Sequence, residues 1–397
     1  MHVMDTAIFL LVLASMLLCS YLLHFPLDRL HMPSLLAPLL IGLAFQLLPY
    51  QEALHSAVTS DLIHQLGQLG VMLLLFLVGL QIETCQLRRL SGHILTLTIL
   101  NLGLSSILGL IVLVLFGYPA LISALVATAL ATVAETTIAP ILDELGLIKT
   151  RIGTLILGPG IIDDVAEVSI ASLASIIVGT KGTTTQPLTL ATGLILLLAV
   201  AFLFHKAFIP FLCRRSEEHR NVQLFLLMSG TVALFTAISQ AFDLGILLGA
   251  IIAGIVFQRF LNESRNTENG LAILRPVAYG LLGPVFFFEI GYSVSLQSLT
   301  STVFLTTLLL LANFAGKFIS SFAVGRLANL SWREIVAVGL GLSTKFSMGI
   351  IPIQIFYSAK LIDQEVFSAF VAVSAVTTMI IPFTLAWVTG KWKKHLI

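Results

Sequence analysis

Apolar residues in this chain arrive in long unbroken runs, neither at the three-and-four spacing of a half-buried helix nor in the alternation of a strand. Most runs are long enough to cross a bilayer as a helix, and their count predicts about thirteen spans. The spans fall near residues 5–24, 33–48, 63–81, 91–116, 119–143, 149–179, 187–213, 219–239, 243–261, 269–290, 300–325, 332–356 and 363–390. The polar stretches between them are short, the longest being Arg214–Arg220 and Asn262–Asn269. An all-α polytopic membrane protein is therefore expected. An odd number of spans divides naturally into six, a linker and six, which gives the two halves opposite topology.

Composition sharpens this picture. Of 397 residues, 57% are hydrophobic and only 10% charged, where a soluble domain carries about 25% charged. The surplus apolar surface needs lipid as its solvent. A net charge of +1 argues against a nucleic-acid partner. Cys19, Cys85 and Cys213 lie far apart without metal spacing and read as small apolar fillers. The start, MHVMDTAIF, has no basic run before the first apolar stretch, so a retained first helix is expected rather than a cleaved signal. No appended soluble domain is expected after the last span. With the N-terminus outside, nearly all Lys and Arg, from Arg29 to Lys394, collect on one side, and only Lys181 and Lys360 fall on the other. That bias predicts a cytoplasmic C-terminus in an inner or plasma membrane.

Two spans are interrupted by polar residues at matching places in the two halves. The fifth holds Leu130–Pro140 (LATVAETTIAP) and the twelfth Gly341–Pro352 (GLSTKFSMGIIP). Each combines Thr or Ser, one charge and a following Pro. Such segments read as discontinuous helices whose free ends face a cavity; the alternative is a hydroxyl-rich helix contact with a proline kink.

The chemistry centres on Leu155–Val178, where Asp163 and Asp164 sit inside an otherwise apolar span. A charge at that depth costs at least about 2.5–3.5 kcal/mol. Neighbouring carboxylates in a low dielectric cannot easily both ionise, which suits proton exchange near neutral pH. An ionised carboxylate is also a hard oxygen ligand for a small cation. Lys317 lies mid-span in LLLLANFAGKF, too deep to reach water comfortably, so it needs a carboxylate. The expected pairing is Lys317 with Asp163, leaving Asp164 for the cation, since adjacent helical residues point about 100° apart. Glu135 and Lys345 occupy the two interruptions, and two readings stay open: they neutralise each other at a crossing, or Glu135 joins the transport site. Glu167 shares a helical face with the aspartates and either tunes them or lines a polar groove. Glu289 reads as structural. The histidines mostly fall at span ends, with His64 and His205 as candidates for modulating a pH response. Gly339–Ser343 (GLGLS) lies inside a span rather than after a strand, and no phosphate loop, zinc spacing or nucleophile elbow stands in a credible context. Neither an enzyme nor an ATP-driven pump is expected, and no cofactor is required.

At these residues the chain resembles the monovalent cation:proton antiporters, specifically the bacterial Na+/H+ branch with a paired Asp-Asp. LLLFLVGLQIETCQLRRL (Leu73–Leu90) is similar to a third-span signature, and ILDELGLIKTRIGTLILGPGIIDDV (Ile141–Val165) to the core stretch leading into the ion-binding aspartates. Gly245–Phe257, Gly283–Leu296 and Leu308–Phe318 match three further signatures in order. The resemblance implies that Asp164 is the main cation and proton carboxylate, that Asp163 partners Lys317, and that Thr132 lines the site. It implies two inverted six-helix repeats with crossed discontinuous helices. It also implies a homodimer, with residues 1–90 and 219–290 as scaffold, 91–179 and 300–390 as the ion-translocating core, and 187–213 as a linker helix. Elevator-like transport and electrogenic exchange of two protons for one cation follow from the same likeness. Two departures stand out. The aligned twelfth span reads Thr344-Lys345-Phe346-Ser347-Met348 where the family usually carries Arg-Gly-Glu, and Glu135 is unusual; the two differences read as compensating each other. No counterpart of the longer members' cytoplasmic nucleotide-binding domain is expected.

The expected function is exchange of a monovalent cation, Na+ first, for protons. K+/H+ exchange on the same scaffold is the alternative, because selectivity depends on cavity size and ligand number. A cation channel or an organic-ion symporter is a more distant one.

Overall fold

The computed structural model describes residues 2–30, 32–46, 61–82, 84–160, 163, 170, 187–209, 221–242, 244–263, 267–293, 302–345, 353, 356–357 and 359–396. Every regular element among them is helical. Nine of these helices are long and apolar enough to cross a membrane. The remaining four expected spans divide into two kinds. Those near 33–48 and 243–261 form shorter apolar helices, and those near 149–179 and 332–356 run into residues outside the described set. Large apolar side chains such as Leu11, Leu115 and Phe304 face outward, at 68%, 79% and 71% exposure, while the charged Asp163, Lys317 and Lys345 are buried. That inversion of the water-soluble pattern belongs to a protein dissolved in lipid.

The chain forms two compact units. The first comprises Met1–Ile82 and Thr192–Val294. It holds α1 (His2–Arg29), α2 (Leu36–Gln46) and α3 (Asp61–Gln81). The second comprises Glu83–Ala191 and Ser295–Ile397, beginning with α4 (Thr84–Leu115), α5 (Ala120–Ala131), α6 (Glu135–Glu144) and α7 (Arg151–Leu157). Helix α8 (Pro187–Leu203) ends in a π-helical turn at Phe204–Phe208. The first unit then resumes with α9 (Asn221–Ala241), α10 (Gly245–Glu263), α11 (Thr267–Val277), a second π-helical turn and α12 (Gly283–Ser293). The second unit closes with α13 (Val303–Leu327), α14 (Trp332–Leu342) and α15 (Gln364–Leu396).

In lipid the hydrophobic effect does not drive helices together, so close packing of small residues carries the association. The first unit shows this where α3 meets α10. A β-carbon on Gly79 would land 3.0 Å from the Gly254 Cα and closer still to the Ile251 carbonyl. Its buried hydroxyls turn back on main-chain carbonyls: Thr231 donates to Leu227 at 2.7 Å and Ser239 to Gly245 at 2.6 Å. One side-chain pair ties α3 to α12, His64 Nδ1 lying 2.6 Å from Glu289 Oε1 and Gln68 Nε2 2.8 Å from His64 Nε2. Glu289 is thus engaged structurally rather than isolated at an interface.

The second unit is built on two helical hairpins, α4–α5 and α13–α14. Gly109 of α4 packs on Ala127 of α5, and Gly339 of α14 on the Phe318 ring of α13. The long helices α4 and α13 run antiparallel, because the Phe116 and Phe304 rings are 5.9 Å apart while Gly316 abuts Ser105. Leu113, Val126, Leu309 and Phe370 belong to the apolar core at one end of this unit. A capping box starts α14: Glu334 N–H donates to Ser331 Oγ, and Ser331 N–H donates to Glu334 Oε2 at 2.7 Å. Helix α5 instead follows Pro119 with no side-chain cap. In the loop before it, the Tyr118 hydroxyl donates to Asp363 Oδ2 at 2.7 Å. Burial first, and this bond second, push the Tyr118 phenol above its usual range.

Candidate ion site at the crossing of two broken helices

Two helix breaks meet in the second unit. Helix α5 stops at Ala131, Thr132 turns extended (φ −62°, ψ 164°), and α6 begins at Glu135 after Ala134 (φ −96°, ψ 85°). Pro140 lies inside α6, well past the interruption, so the break falls at the threonine and not at a proline kink. Thr132 helps end the helix by turning its hydroxyl back to the Ala129 carbonyl at 2.9 Å. On the other side α14 stops at Leu342. Ser343 and Thr344 bond back to Gly339 and Gly341 at 2.7 and 3.1 Å. The two breaks touch directly: the Ala134 N–H donates to the Thr344 carbonyl at 2.9 Å.

A break strands carbonyls at the end of one half-helix and N–H groups at the start of the next, and within a bilayer each costs several kcal/mol if left unmet. Here charged side chains meet them. The Lys317 ammonium donates to the Ala131 carbonyl, and the Lys345 ammonium to the Thr132 carbonyl. Two cations at the carbonyl end of α5 are what the helix dipole favours. The Val133 N–H donates to Asp163 Oδ2 at 3.1 Å, so an anion sits where the N–H groups leading into α6 emerge. The Lys345 carbonyl accepts from Thr378 Oγ1 of α15. All of these groups are buried: Asp163 and Lys317 at 0% exposure, Thr132 at 2%, Lys345 at 3%.

The structure thus gathers Thr132, Asp163, Lys317 and Lys345 around three consecutive peptide units, 131–133. Asp164 and Glu167 lie outside the described residues, as does the side chain of Glu135, although its backbone opens α6. Reading the sequence for charges passed over the main chain as the common acceptor. It also passed over Asn101, Ser105 and Asn313, buried polar residues of α4 and α13, and Thr378. Their signal was available as polar residues inside otherwise apolar spans.

The site faces an acid and two ammonium groups toward an unwound peptide in the membrane interior. Buried charges gathered at an unwound peptide within apolar helices are the setting in which secondary transporters hold their ions. The chain belongs to the sodium/hydrogen exchanger transmembrane family, whose profile matches residues 13–391. It is 24% identical over 370 residues to a Na(+)/H(+) antiporter of Enterococcus hirae, covering 91% of this chain and 93% of that one. It is also 24% identical to the Na(+)/H(+)-K(+) antiporter GerN of Bacillus cereus, covering 93% of each. The fold matches that of the sodium proton antiporter MjNhaP1 from Methanocaldococcus jannaschii with a TM-score of 0.68 at 15% identity, over 99% of this chain and 98% of that one.

Proposed function

We propose that this protein exchanges Na+ for protons, electrogenically, at the carboxylates of Asp164 and Asp163. The observation that carries the reading is the Asp163 carboxylate held by the Val133 N–H beside the peptide carbonyls that Lys317 and Lys345 engage. Such a carboxylate is kept dry and positioned. A carboxylate that must shed a proton before it can ligate a metal ion couples the two by competition. Lys317 supplies positive charge near the site when the cation has left.

The division into two compact units supports an elevator-like mechanism in which the second unit carries the ion against a scaffold formed by the first. A homodimer, with the N-terminus outside and the C-terminus cytoplasmic, is part of the same reading. K+ is the second candidate cation, favoured by relatives named for K(+) exchange, GerN among them.

Proteoliposome transport under a clamped potential, with Na+, Li+ and K+ compared across pH, tests this. Cation gradients are expected to drive proton movement that Asp164→Asn abolishes while the protein still inserts. Robust exchange by Asp164→Asn would refute the assignment, and cation flux without proton counter-flux would point to a channel.

A further inference from the structure

Helix α4 passes the crossing with two buried polar residues, Asn101 at 0% and Ser105 at 3% exposure. Among the described residues, neither Nδ2 nor Oδ1 of Asn101 has a hydrogen-bond partner. Native interiors rarely leave a whole carboxamide unmet unless a ligand or water uses it.

Three contacts fix where Asn101 stands. In the α4–α5 hairpin Gly109 faces Ala127, so counting six residues from each puts Val133 level with Gly103. Along the helix axis Asn101 therefore lies within about one turn, ~5 Å, of the level of the peptide that holds Asp163. Its side of the helix follows from spacing, because positions seven before and four after share its face. Those positions are Ile94, whose side chain would lie 2.7 Å from a β-carbon on Gly158, and Ser105, which abuts Gly316. Gly158 begins the stretch that reaches Asp163 five residues on. Asn101 thus looks between the aspartate segment and α13.

The repeat supplies a control within the same chain. The shift along the sequence that carries Thr132 onto Thr344 also carries Asn101 onto Asn313 and Ser105 onto Lys317. Asn313 is equally buried, at 2%, and its amide also lacks a partner among the described residues. The α13–α14 hairpin, paired through Gly325 and Ile335 and through Phe318 and Gly339, sets Asn313 near the level of Lys345. In this register Asn101 stands on the Asp163 side of peptide units 131–133, and Asn313 stands on the other side, past the two carbonyls that the ammonium groups hold.

We propose that Asn101 is a further ligand of the transported monovalent cation, lending its carboxamide oxygen on the Asp163 side of the crossing, whereas Asn313 is not a ligand. A neutral hard oxygen suits a partly dehydrated alkali cation, and an amide separated from Asp163 by both ammonium groups does not. This rests on the exchange reading above.

The test uses the full chain in proteoliposomes at fixed pH and clamped potential, with half-saturating Na+, Li+ and K+ measured for the wild type, Asn101→Ala, Asn101→Ser and Asn313→Ala. Asn101→Ala is expected to raise the half-saturating concentration about tenfold, by unequal factors for the three ions. Asn101→Ser, which keeps an oxygen, should shift less, and Asn313→Ala should leave the ion ratios in place. Unchanged ratios in Asn101→Ala, or an equal shift in Asn313→Ala, overturn the assignment. Should Asn101→Ala not accumulate, Asn101→Ser carries the comparison; failure of both to accumulate marks a packing residue and overturns it too. Wild-type protein without exchange fails the transport reading itself, whereas wild-type exchange with unmoved ion dependence in the variants fails this assignment alone.

Discussion

The two helix ends that meet in the second unit, after Ala131 and after Leu342, stand at matching places in the chain and differ in what they offer. The break after α5 presents main chain: two carbonyls that receive ammonium groups and an N–H that receives a carboxylate. The break after α14 presents a side-chain cation, Lys345, and one carbonyl that ties it to its partner through Ala134. One is a receptor built from peptide groups and the other delivers charge into it. The lesson is that matching positions in the two halves need not carry matching chemistry: Lys345 delivers an ammonium group where Val133, its counterpart in the first half, offers an N–H.

Removing the anion should damage this arrangement most. Asp163→Ala strands the Val133 N–H beside two ammonium groups, and a loss of about 2–3 kcal/mol together with near-complete loss of exchange is expected, read by detergent melting and vesicle transport. A variant with wild-type melting would show that the break after α5 does not depend on its carboxylate.

The lysines come next. Lys317→Met and Lys345→Met each free one carbonyl and should each cost about 2 kcal/mol, with Lys317→Met changing the voltage dependence of transport more than cation affinity. Because both ammonium groups bind adjacent peptide units, the double variant should lose less than the two losses added. Strict additivity would mean the two breaks are energetically separate. Swapping Glu135 and Lys345 together asks whether their charges cancel; equal damage from the swap and from either single change would rule that pairing out.

A smaller effect probes the α4–α13 contact that holds both hairpins. A β-carbon on Gly316 would lie 2.7 Å from the Ser105 Cα and N, so Gly316→Ala should cost about 1–3 kcal/mol. Ser105→Gly should rescue it only in part, since main-chain atoms also block the space. Smallest is the cap: Ser331→Ala should lose about 1 kcal/mol at the start of α14, with no equivalent at Pro119, where no side-chain cap exists to remove.

Much of the architecture was legible as lengths of apolar sequence, because lipid forces every backbone group into helix and leaves composition to mark the spans. The interruption in LATVAETTIAP was legible as misplaced polarity. Its exact seat was not: the proline suggested a kink, yet the hydroxyl of Thr132 and the neighbouring ammonium groups stabilise the break farther upstream. Lys317 and Lys345 announced themselves as burial problems. Their acceptors did not, because carbonyls are present at every position and only three-dimensional crossing reveals which of them lose their helical partners. Asn101 was silent for another reason. One amide in an apolar helix is common, and only the fold shows that it is fully buried near the level of the α5 break, with no hydrogen-bond partner among the described residues.

The peptide units at 131–133 have one more consequence. A carbonyl oxygen is encoded by no codon, so substitution at Ala131 or Thr132 changes what decorates the receptor without deleting it. Lineages can therefore drift far in sequence, and trade one cargo for another through neighbouring side chains, while inheriting the same polar cradle intact.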